Sequence, residues 1–133
     1  MFETMLTALV AYINPLFTIE HPDVPVVFND QPFDWNNVPD LFVEVMVEFY
    51  TGKHIEMGMH PHTRYCGVIY VNVYVKQGRG SLPAARIHDW FASTLGYQAI
   101  GPCRIQAPAP MPQAEHGGFL VKRLGLNFYA DET

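Results

Sequence analysis

Charged residues are scarce in this chain, and basic residues are the scarcest. Lys and Arg together number 8 among 133 residues, and all charged residues make up 16% of the sequence. The hydrophobic content of 49% excludes an intrinsically disordered protein, which combines high charge with low hydrophobicity. The few cations form no basic stripe interleaved with aromatic residues, so the sequence does not predict nucleic-acid recognition.

Cysteines and long apolar runs are also nearly missing. The two cysteines, Cys66 and Cys103, are too few for a disulfide framework, so we expect free thiols. No uninterrupted apolar run approaches the ~18 residues of a membrane span, so we expect no membrane partner. No Lys or Arg precedes the apolar residues at the N-terminus, which argues against a signal peptide and for synthesis in the cytoplasm.

Residue patterns that support catalysis are missing as well. Glu44 and Glu48 would lie about 13 Å apart along one strand, which is too far for the carboxylate pair of a glycosidase. The turn at residues 77–80 precedes a predicted helix, as in some anion sites, but it lacks the Lys-Ser/Thr ending of a phosphate-binding loop. We therefore expect no enzyme activity and no cofactor.

One group of metal-ligating residue types lies close together in the sequence. Imidazole and thiolate groups are good zinc ligands, but the spacing of this group matches no zinc motif. The alternative is a solvated loop whose histidines titrate without consequence, and we expect no metal site. The group consists of His54, His60, His62 and Cys66.

The net charge of −5 is unevenly distributed along the chain. Residues 1–60 hold nine Asp and Glu residues against Lys53 alone, whereas residues 61–133 hold seven Lys and Arg residues against four acidic ones. Unlike charges on two surfaces would steer neighbouring copies together. The alternative is that solvated charges are simply spread unevenly, because halves of a sequence need not be halves of a structure.

The strongest structural signal is a strand, a glycine turn and a helix over residues 64–96. The first part alternates apolar and polar residues and is rich in β-branched and aromatic types, which predicts a half-buried strand. Two glycines then permit a turn, and Ser81 can cap the helix that follows. Apolar residues at helical spacing predict that helix over residues 82–95.

Two further strands and a second helix are predicted around this unit. Residues 41–50 alternate in the same way as the first strand, and residues 119–129 predict the last strand. An apolar stripe predicts a helix over residues 2–13, and Pro15 predicts its end, because the residue before proline disfavours helical angles. The core that we predict contains Val45, Val47, Val71, Val73 and Phe91.

Two proline-containing segments complete the predicted fold. Residues 24–28 predict a short strand, and Pro25 indicates that it is an edge strand or that it begins there. Four prolines within residues 101–116 predict an extended arm more than a packed element. We therefore predict one α+β domain over residues 1–133, with an antiparallel-rich sheet of about four strands and two helices packed on one of its faces.

The second face of each long predicted strand mixes charged and large apolar side chains. A face that only meets water does not need the large apolar groups, so we predict that these faces contact a neighbouring copy. Tyrosines on exposed sheets are also common, which is the alternative. The candidates for the subunit interface are Phe42, Glu44, Met46, Tyr70, Tyr74 and Arg79.

The connection between the two long strands, residues 51–63, is much longer than a tight hairpin turn. A loop of this length in a small domain is either functional or poorly ordered. Methionines adapt well to a partner surface, so we predict that the loop projects and contacts a partner or lines a channel. The candidate residues are His54, Ile55, Met57, Met59, His60 and His62.

The order of these elements resembles a known family, the small tail terminator proteins of long-tailed bacteriophages. The matching segments are FNDQPF before the first long strand and VPDLFVEVMVEF as that strand. The segment RYCGVIYVNVYVKQGRGSLPAARIHDWF matches as strand, glycine turn and helix, and KRLGLNFY matches as the final strand. The resemblance extends over roughly residues 1–129, and the chain departs from it in the histidine-rich loop and the proline-rich arm.

The resemblance implies a ring, usually a hexamer, that caps the finished tail tube and stops its polymerisation. The partners that it implies are further copies of the chain, the major tail tube protein, the head–tail connector protein and DNA that passes through the channel. It places the protein in the tail or neck of the virion. Two alternatives remain open: a head–tail connector ring of the neck, and a cytoplasmic dimeric module that binds a ligand.

Overall fold

The structure, a computed structural model, describes residues 2–28, 39–54 and 63–132. Within these residues the chain forms two helices and six strands, so the predicted α+β class is confirmed. The predicted number of about four strands was too low. In chain order the elements are α1 (Phe2–Glu20), β1 (Val26–Phe28), β2 (Leu41–His54), β3 (Thr63–Lys76), α2 (Leu82–Leu95), β4 (Ala99–Ile100), β5 (Cys103–His116) and β6 (Phe119–Glu132).

The strands form one mixed sheet in the order β1-β2-β3-β6-β5-β4. β1 runs parallel to β2, and the other described pairs are antiparallel. The short first strand lies at an edge, as Pro25 predicted. The sheet therefore places β1 and β2, from the acidic part of the sequence, together on one side. β6, β5 and β4, from the basic part, lie on the other side.

β5 is a paired strand, although the sequence predicted an extended arm at this position. It pairs with β6 from end to end, with two register shifts, and it contains Pro108, Pro110 and Pro112. Proline has no N–H group to donate to a neighbouring strand. It is therefore tolerated in an edge strand, where its nitrogen can face the side without a neighbour. β5 is such an edge beyond Gln106, because β4 and the two residues before it form backbone contacts only with residues 103–106 of β5.

Helix α1 continues through Pro15 to Glu20, so the predicted end at residue 13 was wrong. Proline removes one backbone hydrogen bond from a helix, but tertiary packing stabilises the turns that follow. Phe17, beyond the proline, is fully buried, and its ring centroid lies 5.4 Å from that of Phe91 and 5.2 Å from that of Trp90. By length and composition alone α1 could span a membrane, but one of its faces is packed in the core.

Both helices pack on the same face of the sheet, as predicted. Val45, Val71, Val73 and Phe91 are buried in one core cluster with residues of both helices, and Val47 packs against it partly buried. Helix α2 confirms the predicted bounds. The two turn glycines before it adopt positive φ angles, whereas Ser81 makes no side-chain capping hydrogen bond.

The hairpin of β2 and β3 is longer than predicted and contains a bulge. β2 extends to His54, and the register shifts between Phe49 and Thr51, so Tyr50 is an extra residue on β2. Next to the bulge, the backbone of β2 and the core side chain of Phe128 both lie very close to Gly67 of β3. A β-carbon at Gly67 would lie 2.2 Å from the carbonyl oxygen of Glu48.

Candidate functional site

The candidate site is the sheet face opposite the helices, which we call the outer face. The register places Phe42 opposite Tyr74, Glu44 opposite Asn72 and Met46 opposite Tyr70. Because side chains alternate along a strand, all of them point away from the helix-covered face that holds Val43, Val45 and Val71. Five of the six predicted interface residues are thus brought together on one face: Phe42, Glu44, Met46, Tyr70 and Tyr74.

An aromatic cluster forms one end of the outer face. The rings of Phe42 and Tyr74 stack with centroids 4.5 Å apart, and Phe119 packs edge-on against Phe42 at 5.7 Å. These contacts leave Phe42 only 2% exposed. The large apolar group of Phe42 is therefore already covered within the chain, and its contact with a partner stays a prediction.

A polar row crosses the three central strands next to this cluster. Asn72, which is 6% exposed, donates to the carboxylate of Glu44 at 3.3 Å, and Tyr74 donates to the same oxygen at 3.2 Å. Arg123 on β6 donates to the side-chain carbonyl oxygen of Asn72 at 3.4 Å. Burial, with the nearby Glu44 charge, raises the pKa of Tyr74 to about 12. The buried amide of Asn72 is therefore satisfied by side chains of the neighbouring strands.

A groove follows the polar row along the outer face. It is lined by residues that include Tyr50, Tyr70, Met111 and Gly125. A β-carbon at Gly125 would lie 3.1 Å from the sulfur of Met111, so glycine at this position keeps the floor of the groove low. The side chain of Tyr50, the extra residue of the β2 bulge, is 62% exposed at the rim.

Cations occupy the side of the outer face that is formed by β5 and β6. Arg123 stands over the ring of Tyr70, with its guanidinium carbon 5.4 Å from the ring centroid. Arg104 on β5 is exposed and donates to the backbone carbonyl of Gly101 at 3.2 Å. Arg64 at the far end is different, because it forms a two-bond pair with Asp131 at 2.7 and 3.0 Å.

The sixth interface candidate, Arg79, lies apart from the others. It is in the turn after β3, where its guanidinium donates to Asp40 at 3.2 Å in an exposed ion pair that also includes Lys76 at 3.8 Å. Exposed pairs of this kind contribute little to stability. Arg79 therefore lies at the end of the sheet where β2 begins.

The predicted loop residues cannot be placed on the outer face. His54 ends β2, but its side chain is outside the described part of the structure, and Ile55, Met57, Met59, His60 and His62 lie wholly outside the described residues. The proposed role of these residues stays a prediction. Among the residues that are described, no three His, Cys, Asp or Glu side chains are grouped as metal ligands would be.

Sequence reasoning missed the residues that β6 and β5 bring to the outer face. Arg123, Gly125 and Phe119 could have been assigned to this face from the alternation of β6. Met111 could not, because two register shifts in β5 change which of its residues share a face. The sequence also carries no signal that β6 pairs with β3. The arrangement on this face offers contacts to a partner: rings, methionine side chains and charges.

The fold is shared with solved protein structures. One of them superposes on the whole chain with a TM-score of 0.73, and the match covers 96% of that chain. The two sequences are 17% identical, so this likeness concerns the fold alone. No protein-family model and no curated protein sequence matches this chain.

Proposed function

We propose that this protein is a tail terminator of a long-tailed bacteriophage, which assembles as a ring on the end of the tail tube. The ring stops polymerisation of the major tail protein and joins the tube to the head connector, and DNA passes through its channel. The order of elements that carries the resemblance supports this proposal. The protein is then a structural component of the virion and not an enzyme.

The observation that carries the proposal is the outer face of the sheet. Both described helices pack on the other face, and the outer face presents Met46, Tyr70 and Met111 only partly covered. Partly covered apolar groups beside polar ones are typical of protein interfaces that form after folding. A structural ring uses such a surface, whereas a ligand-binding module would need an enclosed pocket lined by a few converging polar groups.

A closed ring needs two different surfaces on each copy, because each copy contacts two neighbours through unlike patches. On the outer face, β2 carries Glu44 and Glu48, whereas β5 and β6 carry Arg104 and Arg123. These outer-face charges differ in sign between the two sides of the sheet, which supports the ring over a symmetric dimer.

We propose further that the connection between β2 and β3 contacts the tail tube or lines the channel. The two strands bring the chain to one end of the sheet, where His54 and Thr63 are still paired. The residues that connect these ends include Ile55, Met57 and Met59, and methionine side chains adapt well to a partner surface.

The proposal is tested with the purified protein and polymerising tail tube protein. Electron microscopy should show rings alone and rings seated on tube ends, and tubes should stop growing when the protein is added. A variant in which residues 53–61 are replaced by a tight turn should still form rings but leave tubes uncapped. Rings that bind isolated head portals and ignore tubes would identify a neck connector instead. Shortened rings that cap tubes normally would exclude the loop as the contact.

A further inference from the structure

Two columns of opposite charge run along the outer face. Glu44 and Glu48 on β2 form the acidic column, and Arg123 on β6 and Arg104 on β5 form the cationic column. Glu44 and Arg123 lie in the same row, joined through Asn72. Arg104 lies one row along the strands from Glu48, in the row of Thr51, Cys66 and Tyr129. The two columns therefore lie on the same face on opposite sides of β3, and only Glu44 and Arg123 share a level.

Most of these charges have no counter-charge among the residues that the structure describes. In the described part of the molecule, Glu48, Arg104 and Arg123 form no ion pair, in contrast to Arg64, which binds Asp131. Glu48 and Arg104 are also exposed. Cationic and acidic columns that form no ion pair with each other in the described part of one chain can meet across two chains placed side by side.

Backbone pairing between copies is disfavoured at the cationic side. Pro108 and Pro110 are partners of Leu126 and Leu124 in β6, and proline cannot donate a hydrogen bond to β6. The nitrogens of these prolines therefore face the free edge of β5 and not β6. This edge then has no N–H donor at alternate residues. Prolines on an edge strand prevent the open-ended strand pairing that causes aggregation. A neighbour at this edge must be recognised by side chains.

We propose that neighbouring copies of this chain meet side by side, with the acidic column of one copy against the cationic column of the next. The partner of each column is a second copy, because the two columns are complementary in sign and lie on opposite sides of one sheet face. The contact is heterologous and therefore continues from copy to copy until the ring closes. This inference rests on the ring proposed above and identifies the surfaces that form it.

Charge reversal tests the contact. The variants Glu48→Lys and Arg104→Glu should each raise the concentration at which half the protein is assembled by about tenfold, because each replaces an attraction by a repulsion. An equal mixture of the two variants should assemble like the wild type, because both contacts in the mixture again join opposite charges. The matched control is Arg86→Glu, which reverses an exposed cation on α2 and should assemble normally.

The measurements are light scattering and sedimentation over a range of protein concentrations, with circular dichroism to confirm that each variant is folded. Wild-type assembly should also weaken as salt is raised, because salt screens exposed charges. If the wild type forms rings and the Glu48→Lys and Arg104→Glu variants assemble equally well, this contact is overturned, whereas the proposed ring is not. The contact would equally be overturned by a mixture that fails to assemble, or by variants that form rings unable to cap tubes. A wild type that is monomeric would overturn the ring itself.

Discussion

Substituting Gly67 by alanine should destabilise the protein through a collision that the structure locates closely. The new β-carbon would lie 2.2 Å from the carbonyl oxygen of Glu48 and 2.6 Å from the ring of Phe128, where ordinary contacts measure 3.4–4 Å. Neither group can move freely. The oxygen belongs to the paired backbone of β2, and Phe128 is 1% exposed and packs edge-on against Phe49.

The expected cost follows from these contacts. Overpacking of a filled core costs about 1–3 kcal/mol, and a strained β2–β3 hydrogen bond adds about 1 kcal/mol. Alanine restricts the unfolded chain, which offsets about 0.4–1 kcal/mol of this loss. The net loss should be about 1–4 kcal/mol, so the variant should still fold if the protein has the usual stability of about 5–15 kcal/mol.

Urea denaturation at one fixed protein concentration measures this loss, because assembly would otherwise change the apparent stability. Gly125→Ala is the matched control, since Gly125 is also a buried strand glycine. Its β-carbon would meet the flexible side chain of Met111 at 3.1 Å, which can move aside. If Gly67→Ala proves as stable as Gly125→Ala, the close approach of β2, β3 and Phe128 is not present as described.

Two further predictions concern ionisable groups. Tyr74 has a pKa near 10.0 when unfolded and about 12 when folded, so its contribution to stability is complete below pH 10 and disappears as pH rises towards 12. Wild type should therefore lose stability relative to Tyr74→Phe over that range, and equal pH profiles would show that Tyr74 is not held beside Glu44. For the thiols, burial raises the pKa of Cys103 to about 12, whereas Cys66 is half-buried on the outer face. A thiol reagent on the folded protein should modify Cys66 first, and faster labelling of Cys103 would contradict the burial of Cys103 in the core.

The parts of the fold that follow from the sequence are those with a clear periodicity. In β2, β3 and α2 the apolar residues recur at strand or helix spacing, because each element buries one face in the core. The end of α1 could not be predicted, because burial of Phe17 in the core outweighs the local effect of Pro15. β5 has both faces largely exposed beyond Ile105, so no periodicity marks it as a strand.

The candidate site was predicted in part for the same reason. The alternation of β2 and β3 identified Met46 and Tyr70 on a mixed face. The cation side of that face depends on the pairing of β6 with β3 and on the shifts in β5, which are properties of the whole sheet. Burial of Phe42 by Tyr74 is likewise a tertiary contact, which sequence alternation could not reveal.

The mass of the assembled wild-type protein in solution tests the central claim most directly. Light scattering at physiological salt should give about 90 kDa, the mass of about six copies of the 15.1 kDa chain in a closed ring. Electron microscopy of the same sample should show rings with a central opening. A mass of one or two chains that does not change with protein concentration would contradict the account.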